Sequence, residues 1–282
     1  MRVIRNPQKL SKILAVTRHK RRSIGFVPTM GALHLGHLSL IKKANKENNI
    51  VVVSIFVNPK QFGPKEDFKK YPRQLKKDLA FCRASAVDFV FLPSDKMMYP
   101  EGYSTFVNVE GLSAVLCGAS RPGHFRGVAT IVAKLLNIIC PDALYLGQKD
   151  AQQAIILKKM VKDLNFPTDV KVIPTVRQKN GLALSSRNAY LDKKQASDAV
   201  VLSKALSMAR SLFESGARDS ARIISRMRKL INKKQQAKVD YISIVDLERL
   251  EKVKKINRDC LVALAVRFGN TRLIDNTVIN YA

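Results

Sequence analysis

Ile24-Gly25-Phe26-Val27-Pro28-Thr29-Met30-Gly31-Ala32-Leu33-His34-Leu35-Gly36-His37 runs directly into Leu38-Ser39-Leu40-Ile41-Lys42-Lys43-Ala44-Asn45-Lys46. The opening residues are apolar and strand-like, and the later ones have the three-and-four spacing of an amphipathic helix, so the stretch reads as a strand turning into a helix. Such a turn points helix N–H groups at an anion. His34 and His37 lie three apart on one face of the opening turn, and Gly36 between them would let a nucleotide approach the backbone. Two imidazoles there can donate to phosphate oxygens and offset the charge that develops when ATP is split between its α and β phosphates.

The same alternation extends outward. Strand patterns at 23–27, 50–57, 88–92, 143–146 and 170–176 alternate with helical patterns at 37–46, 71–84, 127–139 and 151–164. This βαβ succession predicts an α/β fold: a Rossmann-like parallel-sheet domain over residues 1–176, with ligands at the carboxyl ends of its strands. Residues 58–70 form a long polar connection with the character of a mobile flap. After residue 176 the pattern changes. Amphipathic helices at 193–214 and 219–234 precede strand-like runs at 241–245, 260–268 and 271–279, and Phe268-Gly269-Asn270-Thr271 reads as a hairpin turn. A smaller C-terminal α+β domain over 177–282 is therefore expected, closing over the nucleotide site like a lid.

Composition bounds the function classes. With 282 residues, 46% of them hydrophobic, the chain can bury a substantial core. Neither a signal-peptide core nor a bilayer-length apolar run is present, so a cytoplasmic protein without membrane contact is expected. Cys82, Cys117, Cys140 and Cys260 are scattered without the spacing of a zinc site or disulfide framework. Cys140 and Cys260 fall in apolar runs and read as buried thiols. Fifty Lys and Arg against 22 Asp and Glu give a net charge of +28. The basic residues are spread over many helices, and no RNA-recognition, zinc-finger or basic-zipper signature accompanies them, so no nucleic-acid partner is expected. The excess would still draw anionic substrates toward the protein.

Four further segments concentrate anion-binding side chains. In Phe56-Val57-Asn58-Pro59-Lys60-Gln61-Phe62-Gly63-Pro64, Gln61 can both donate to and accept from a small hydroxy acid. Ser120-Arg121-Pro122-Gly123-His124-Phe125-Arg126-Gly127-Val128 precedes a long apolar helix and suits phosphate, a subunit contact or a surface ion-pair loop. Leu146-Gly147-Gln148-Lys149-Asp150-Ala151-Gln152-Gln153 again runs from strand into helix. Lys149 can place a charge on the α-phosphate, Asp150 can accept from ribose hydroxyls or cap the helix, and Gln153 can face the acid substrate. Pro174-Thr175-Val176-Arg177, followed by Gly181-Leu182-Ala183-Leu184-Ser185-Ser186-Arg187-Asn188, supplies hydroxyls and an arginine for the outer phosphates.

Taken together with Tyr71-Pro72-Arg73 and Met98-Tyr99-Pro100, these segments resemble the pantoate:β-alanine ligase (pantothenate synthetase) family of HxGH nucleotidyltransferases over nearly the whole chain. The resemblance implies that MgATP activates the carboxylate of pantoate as pantoyl-adenylate and pyrophosphate, and that β-alanine then attacks to give pantothenate and AMP. It implies ATP contacts from Met30, Gly31, Ala32, Leu33, His34, Leu35, Gly36, His37, Gly147, Gln148, Lys149, Asp150, Val176, Leu184, Ser185, Ser186 and Arg187. His37, His34 and Lys149 are the implied catalytic residues, with His37 a candidate proton donor. Met30, Gln61 and Gln153 would hold pantoate, Gln61 would border β-alanine, and Asp78 would contribute to the Mg²⁺ environment. A homodimer is also implied. Gln148 and Leu184 depart from the family's usual Glu and Met, and Cys117 and Asn180 stand where acids are common. Class I aminoacyl-tRNA synthetases share the HxGH motif, but the chain is short for one and has no evident anticodon-binding region.

Overall fold

In the computed structural model, which describes residues 1–64 and 66–281, the chain divides into two compact units. The first comprises Met1–Ala114, Gly118–Gly147 and Gln152–Pro174; the second comprises Val115–Cys117, Gln148–Ala151 and Thr175–Ala282. Two short excursions thus join the second unit from sequence otherwise belonging to the first. Division by pattern along the chain, at 176, has no means of detecting them.

The first unit is built on β1 (Arg2–Ile4), β2 (Ile24–Thr29), β3 (Ile50–Ile55), β4 (Phe89–Phe91), β5 (Ala143–Gly147) and β6 (Asp169–Ile173). They form one parallel sheet in the order β1-β4-β3-β2-β5-β6. β3, Ile-Val-Val-Val-Ser-Ile, is buried at every position, as expected of a parallel strand covered on both faces. Its Val51 and Val53 pack with Val27, Val90, Ile41 and Ala44 in the core. From β2 the chain proceeds to β3 and β4 on one side, then returns to β5 and β6 on the other. That reversal leaves a crevice at the carboxyl ends of β2 and β5, the place where open α/β sheets bind ligands.

Differences from the sequence expectations have local causes. The helix anticipated from residue 71 begins at Leu75, because Pro72 disfavours helical backbone at Tyr71. β6 stops at Ile173, before Pro174. Pro28 is accommodated inside β2 because it lies beyond the last β2–β5 pair. β1 and the helix Pro7–His19 were not anticipated, although the helix carries a readable start: Asn6 Oδ1 accepts Lys9 N–H at 2.8 Å and Pro7 occupies the first turn. The connection 58–70 includes Lys65, which lies outside the described residues; around it, residues 59–61 form a helical turn and Glu66 is tied to Arg121.

The second unit carries β7 (Ala237–Asp246), β8 (Cys260–Phe268) and β9 (Thr271–Ile279) as an antiparallel sheet in that order. Gly269, at φ +56°, turns the β8–β9 hairpin. The helices Val201–Glu214 and Ser220–Asn232 contribute Leu202, Leu206, Ile223, Met227 and Ile231 to a core shared with Ile244, Val262, Leu264 and Phe268. The helix expected over 193–214 divides at Val200 into Lys193–Ala199 and Val201–Glu214. β7 is longer than the expected 241–245 and absorbs an irregularity between Val239 and Tyr241. Among the described residues, no helix is long and apolar enough to cross a membrane.

Candidate active site

The turn leaving β2 is shaped by side chains remote in sequence. Thr29 Oγ1 donates to Ser54 O at 2.7 Å and accepts Gly31 N–H at 3.1 Å. Gly31 has φ +83°, and a Cβ there would stand 2.9 Å from Asp78 Oδ2, so glycine is required on both counts. Asp78, 4% exposed, accepts Ala32 N–H through Oδ2 at 3.0 Å and Leu33 N–H through Oδ1 at 2.8 Å. Both of its oxygens therefore hold the loop. No group of three His, Cys, Asp or Glu suited to a metal occurs among the described residues.

The helix Leu35–Glu47 starts immediately after this loop, with His34 as its N-cap. His34 Nδ1 accepts Gly36 N–H at 3.1 Å, and His37 Nδ1 accepts His34 N–H at 3.2 Å. A ring nitrogen that accepts carries no hydrogen, so these bonds assign each neutral imidazole its hydrogen on Nε2. Both rings are therefore N–H donors at Nε2, with centroids 4.2 Å apart. Gly36 has a structural reason beyond nucleotide approach: a Cβ would lie 2.8 Å from Cε1 of His34.

Gln61 follows β3 in the turn Pro59–Gln61 and is 8% exposed. Its Nε2 lies 2.9 Å from Met30 Sδ, while Asn58 Nδ2 donates to Gln61 Oε1 at 3.1 Å and to Gly127 O at 3.0 Å. Asn58 is itself oriented by Tyr99, whose hydroxyl donates to Oδ1 at 2.7 Å. Burial pushes the Tyr99 phenol up, which keeps it a donor. Gly127 lets this layer form, since a Cβ there would collide with Lys60 O and stand 2.7 Å from Gln61 Cα. Met30 and Gln61, read separately from the sequence, are thus brought into contact.

A second chain of contacts fixes the turn from behind. Arg121 donates to Glu66 through Nε at 2.5 Å and Nη2 at 2.7 Å, and through Nη1 to His124 Nε2 at 2.9 Å. His124 Nε2 therefore accepts, leaving Nδ1–H to donate to Gln61 O at 2.8 Å. Burial raises the Glu66 carboxyl, but hydrogen bonding and charge from Arg121 outweigh it and hold the group below its ordinary value. Of the alternatives for residues 120–128, an intramolecular ion pair is present between Arg121 and Glu66. Gly147 ends β5, the neighbour of β2 in the sheet, and a Cβ there would meet nothing within 4 Å. Gln153 is half-buried on the helix Ala151–Asp163, whereas Gln152 is buried and donates to Leu112 O at 2.9 Å.

In the second unit, Gln148–Asp150 is a helical turn held against β9. Asn276 Nδ2 donates to the carbonyls of both Gln148 and Lys149 at 2.9 Å, and Asn276 Oδ1 accepts Gln148 Nε2 at 3.0 Å. Asn276 N–H goes to Asp275 Oδ1 at 2.8 Å, and Asp275 is paired with Arg177 through bonds of 2.6 and 2.9 Å. Arg177 also donates to Gly181 O at 3.2 Å, within a loop closed by Leu184 N–H on Val176 O at 3.0 Å. Ser185 caps the turn Ser186–Tyr190, its Oγ accepting Arg187 N–H at 3.2 Å. Lys149 Nζ lies 3.5 Å from Asp150 Oδ1.

Asp275 and Asn276 escaped the sequence reading, yet they leave a signal. Adjacent polar residues in a strand of period two cannot both face solvent on the same side, and Asp275 and Asn276 are both buried. Two departures noted in the sequence also find a place. Asn180 Oδ1 accepts Leu182 N–H at 3.1 Å. Buried Cys117 meets the Tyr241 hydroxyl at 3.1 Å, while Arg272 beside it pairs with Asp240 at 2.7 Å. Of the two cysteines read as buried thiols, Cys260 is buried but Cys140 is exposed at the helix end.

The sequence model of the family described as pantoate-beta-alanine ligase matches residues 2–278. The chain is 52% identical over 279 residues to the pantothenate synthetase of Acetivibrio thermocellus, covering 99% of each protein. It is 50% identical to that of Moorella thermoacetica over the same length, again 99% of each. The crystal structure of pantothenate synthetase from Thermus thermophilus superposes with a TM-score of 0.93 at 43% identity, covering 98% of this chain and 99% of that one. The pantoate-beta-alanine ligase of Francisella tularensis, solved with beta-gamma ATP and β-alanine, has a TM-score of 0.81 at 39% identity, with 99% and 97% covered. A family match spanning nearly every residue, with relatives half identical along their full length, means that the chain belongs to the pantoate-β-alanine ligase family.

Proposed function

We propose that the enzyme joins pantoate to β-alanine in two stages. The pantoate carboxylate attacks the α-phosphorus of ATP, forming pantoyl-adenylate as pyrophosphate leaves; the β-alanine amine then attacks the acyl carbon, the acyl–oxygen bond breaks, and pantothenate and AMP depart. Family membership gives the overall ligation. The observation that carries the two-stage reading is the imidazole pair, whose Nδ1 atoms are engaged by backbone N–H groups and whose Nε2–H groups are donors at a helix N-terminus. Such donors lower the cost of charge growing on phosphate oxygens.

The remaining roles follow from chemistry. His34 and His37 take phosphate oxygens, with His37 the candidate proton donor. Met30–Leu33 backbone groups and Gly147, whose missing side chain has no steric cause in the protein, border the nucleotide. In the second unit, Lys149 supplies the cation for the α-phosphate, Gln148 and Asp150 border the nucleoside, Val176 presents backbone to adenine, and Leu184, Ser185, Ser186 and Arg187 take the outer phosphates. Gln61, packed on Met30 and barely exposed, orients the pantoate hydroxyls together with Gln153 and borders β-alanine. Mg²⁺ is assigned as the ion that accompanies ATP, bound largely through phosphates, with Asp78 as the carboxylate near it.

Exchange of labelled pyrophosphate into ATP tests this reading. Exchange that requires pantoate and proceeds without β-alanine is expected. Exchange that requires β-alanine would overturn the adenylate intermediate.

A further inference from the structure

We infer that Asn276 is a positioning residue for the reaction: its side-chain amide sets the backbone of Gln148 and Lys149, and so aims the Lys149 ammonium. The inference rests on the role proposed above for Lys149 and adds a residue that acts through it. One amide nitrogen bridges two successive carbonyls at 2.9 Å each, and its oxygen receives the Gln148 side chain. Donation to two carbonyls fixes which end of the Asn276 amide is nitrogen. That in turn requires Gln148 to present its own nitrogen, so the two amides are complementary and neither can flip alone.

The support behind Asn276 is equally specific. Its backbone N–H is bound by Asp275, a carboxylate 2% exposed at its side chain and held by two bonds from Arg177. Arg177 reaches Gly181 O in the loop that leads to Ser185–Arg187. One buried polar network therefore fixes both segments of the second unit assigned to phosphate. Lysine carries its charge on a flexible four-carbon stem, so a backbone held at two consecutive carbonyls removes much of the freedom that would otherwise spread the ammonium over many positions. Catalysis by alignment is sensitive to displacements of about 1 Å, and a turn of three residues between strand and helix has no regular ladder of its own to hold it.

A double-mutant cycle decides this. Pantoate-dependent pyrophosphate release is measured in a single turnover for the unaltered enzyme, Lys149→Ala, Asn276→Ala and the pair, with melting temperature as the record of folding. Asn276→Ala should slow release about tenfold or more, the scale of buried hydrogen bonds lost at a charged site, and should add little once Lys149 is already alanine. An equal loss in both backgrounds would mean a merely structural residue and would overturn the inference while leaving the role of Lys149 intact. Unchanged release in Lys149→Ala would remove the underlying reading and the inference with it. If Asn276→Ala does not fold, the cycle is run with Asn276→Asp, which keeps the size and the acceptor for Gln148 but removes donation to the two carbonyls; the same criterion applies.

Discussion

Asp78 accepts the backbone N–H of Leu33 at 2.8 Å, 45 residues upstream of it in the chain. With the Ala32 N–H on its other oxygen, the carboxylate holds the loop that delivers His34 to the helix start. Asp78→Asn should cost about 1–3 kcal/mol in urea unfolding, because the new NH₂ group faces a backbone donor and leaves it unpaired. The KM for ATP should rise, and the Mg²⁺ dependence at saturating ATP should stay as it is. An unchanged stability with a greatly increased Mg²⁺ requirement would mean that the carboxylate serves the metal rather than the loop.

Gly127 touches the backbone of Lys60 and Gln61, and a methyl group there has nowhere to go: its nearest neighbours are the backbone carbonyl atoms of Lys60 and the Cα of Gln61. Gly127→Ala should displace the Pro59–Gln61 turn, at about 1–3 kcal/mol of stability, and raise the KM for pantoate more than that for ATP. Steady-state kinetics with each substrate varied in turn checks the selectivity; equal changes in both would separate Gln61 from the pantoate position.

Much of this arrangement was legible because it obeys local rules. The apolar run of β3 and the strand-to-helix turns after β2 and β5 announce a parallel sheet, and ligand chemistry at the carboxyl ends follows from that topology. What escaped was chemistry between distant segments. Asp78 was read only as a neighbour of Mg²⁺, and its loop partners have no pattern in sequence because backbone N–H groups are common to every residue. Asn58 and Tyr99 were quoted only as motif members, although together they orient Gln61. Gly36 was read only as room for a ligand, and the packing of the His34 ring against it, a second reason for glycine, has no signature in the sequence.

Glu66 and Arg121 give a pH dependence with a definite sign. Arg121 holds the Glu66 carboxyl below its ordinary value of 4.5 despite the opposing effect of burial. A carboxylate with a depressed folded pKa contributes stability that is present above the unfolded value and is lost as pH falls through the folded one. The denaturant midpoint should therefore fall below about pH 4.5 more steeply in the unaltered protein than in Glu66→Gln, the two approaching each other in acid. Parallel curves throughout would show that the pair contributes nothing to the linkage.

Gly36→Ala separates stability from function at the helix start. Alanine is the better helix former by roughly 0.5–1 kcal/mol, and among the described residues beyond its own helix backbone the added methyl meets Cε1 and Nδ1 of the His34 ring, at 2.8 and 2.9 Å. A side chain can rotate away where backbone cannot, so the fold should survive with a melting temperature within a few degrees of the original. Rotation of the ring, however, breaks the Nδ1 contact that makes Nε2 the donor. Pantoate-dependent pyrophosphate release should then fall about 10- to 100-fold, the scale of one misplaced transition-state donor. Retained activity at unchanged stability would mean that the Nε2–H of His34 is not directed at the reacting phosphates.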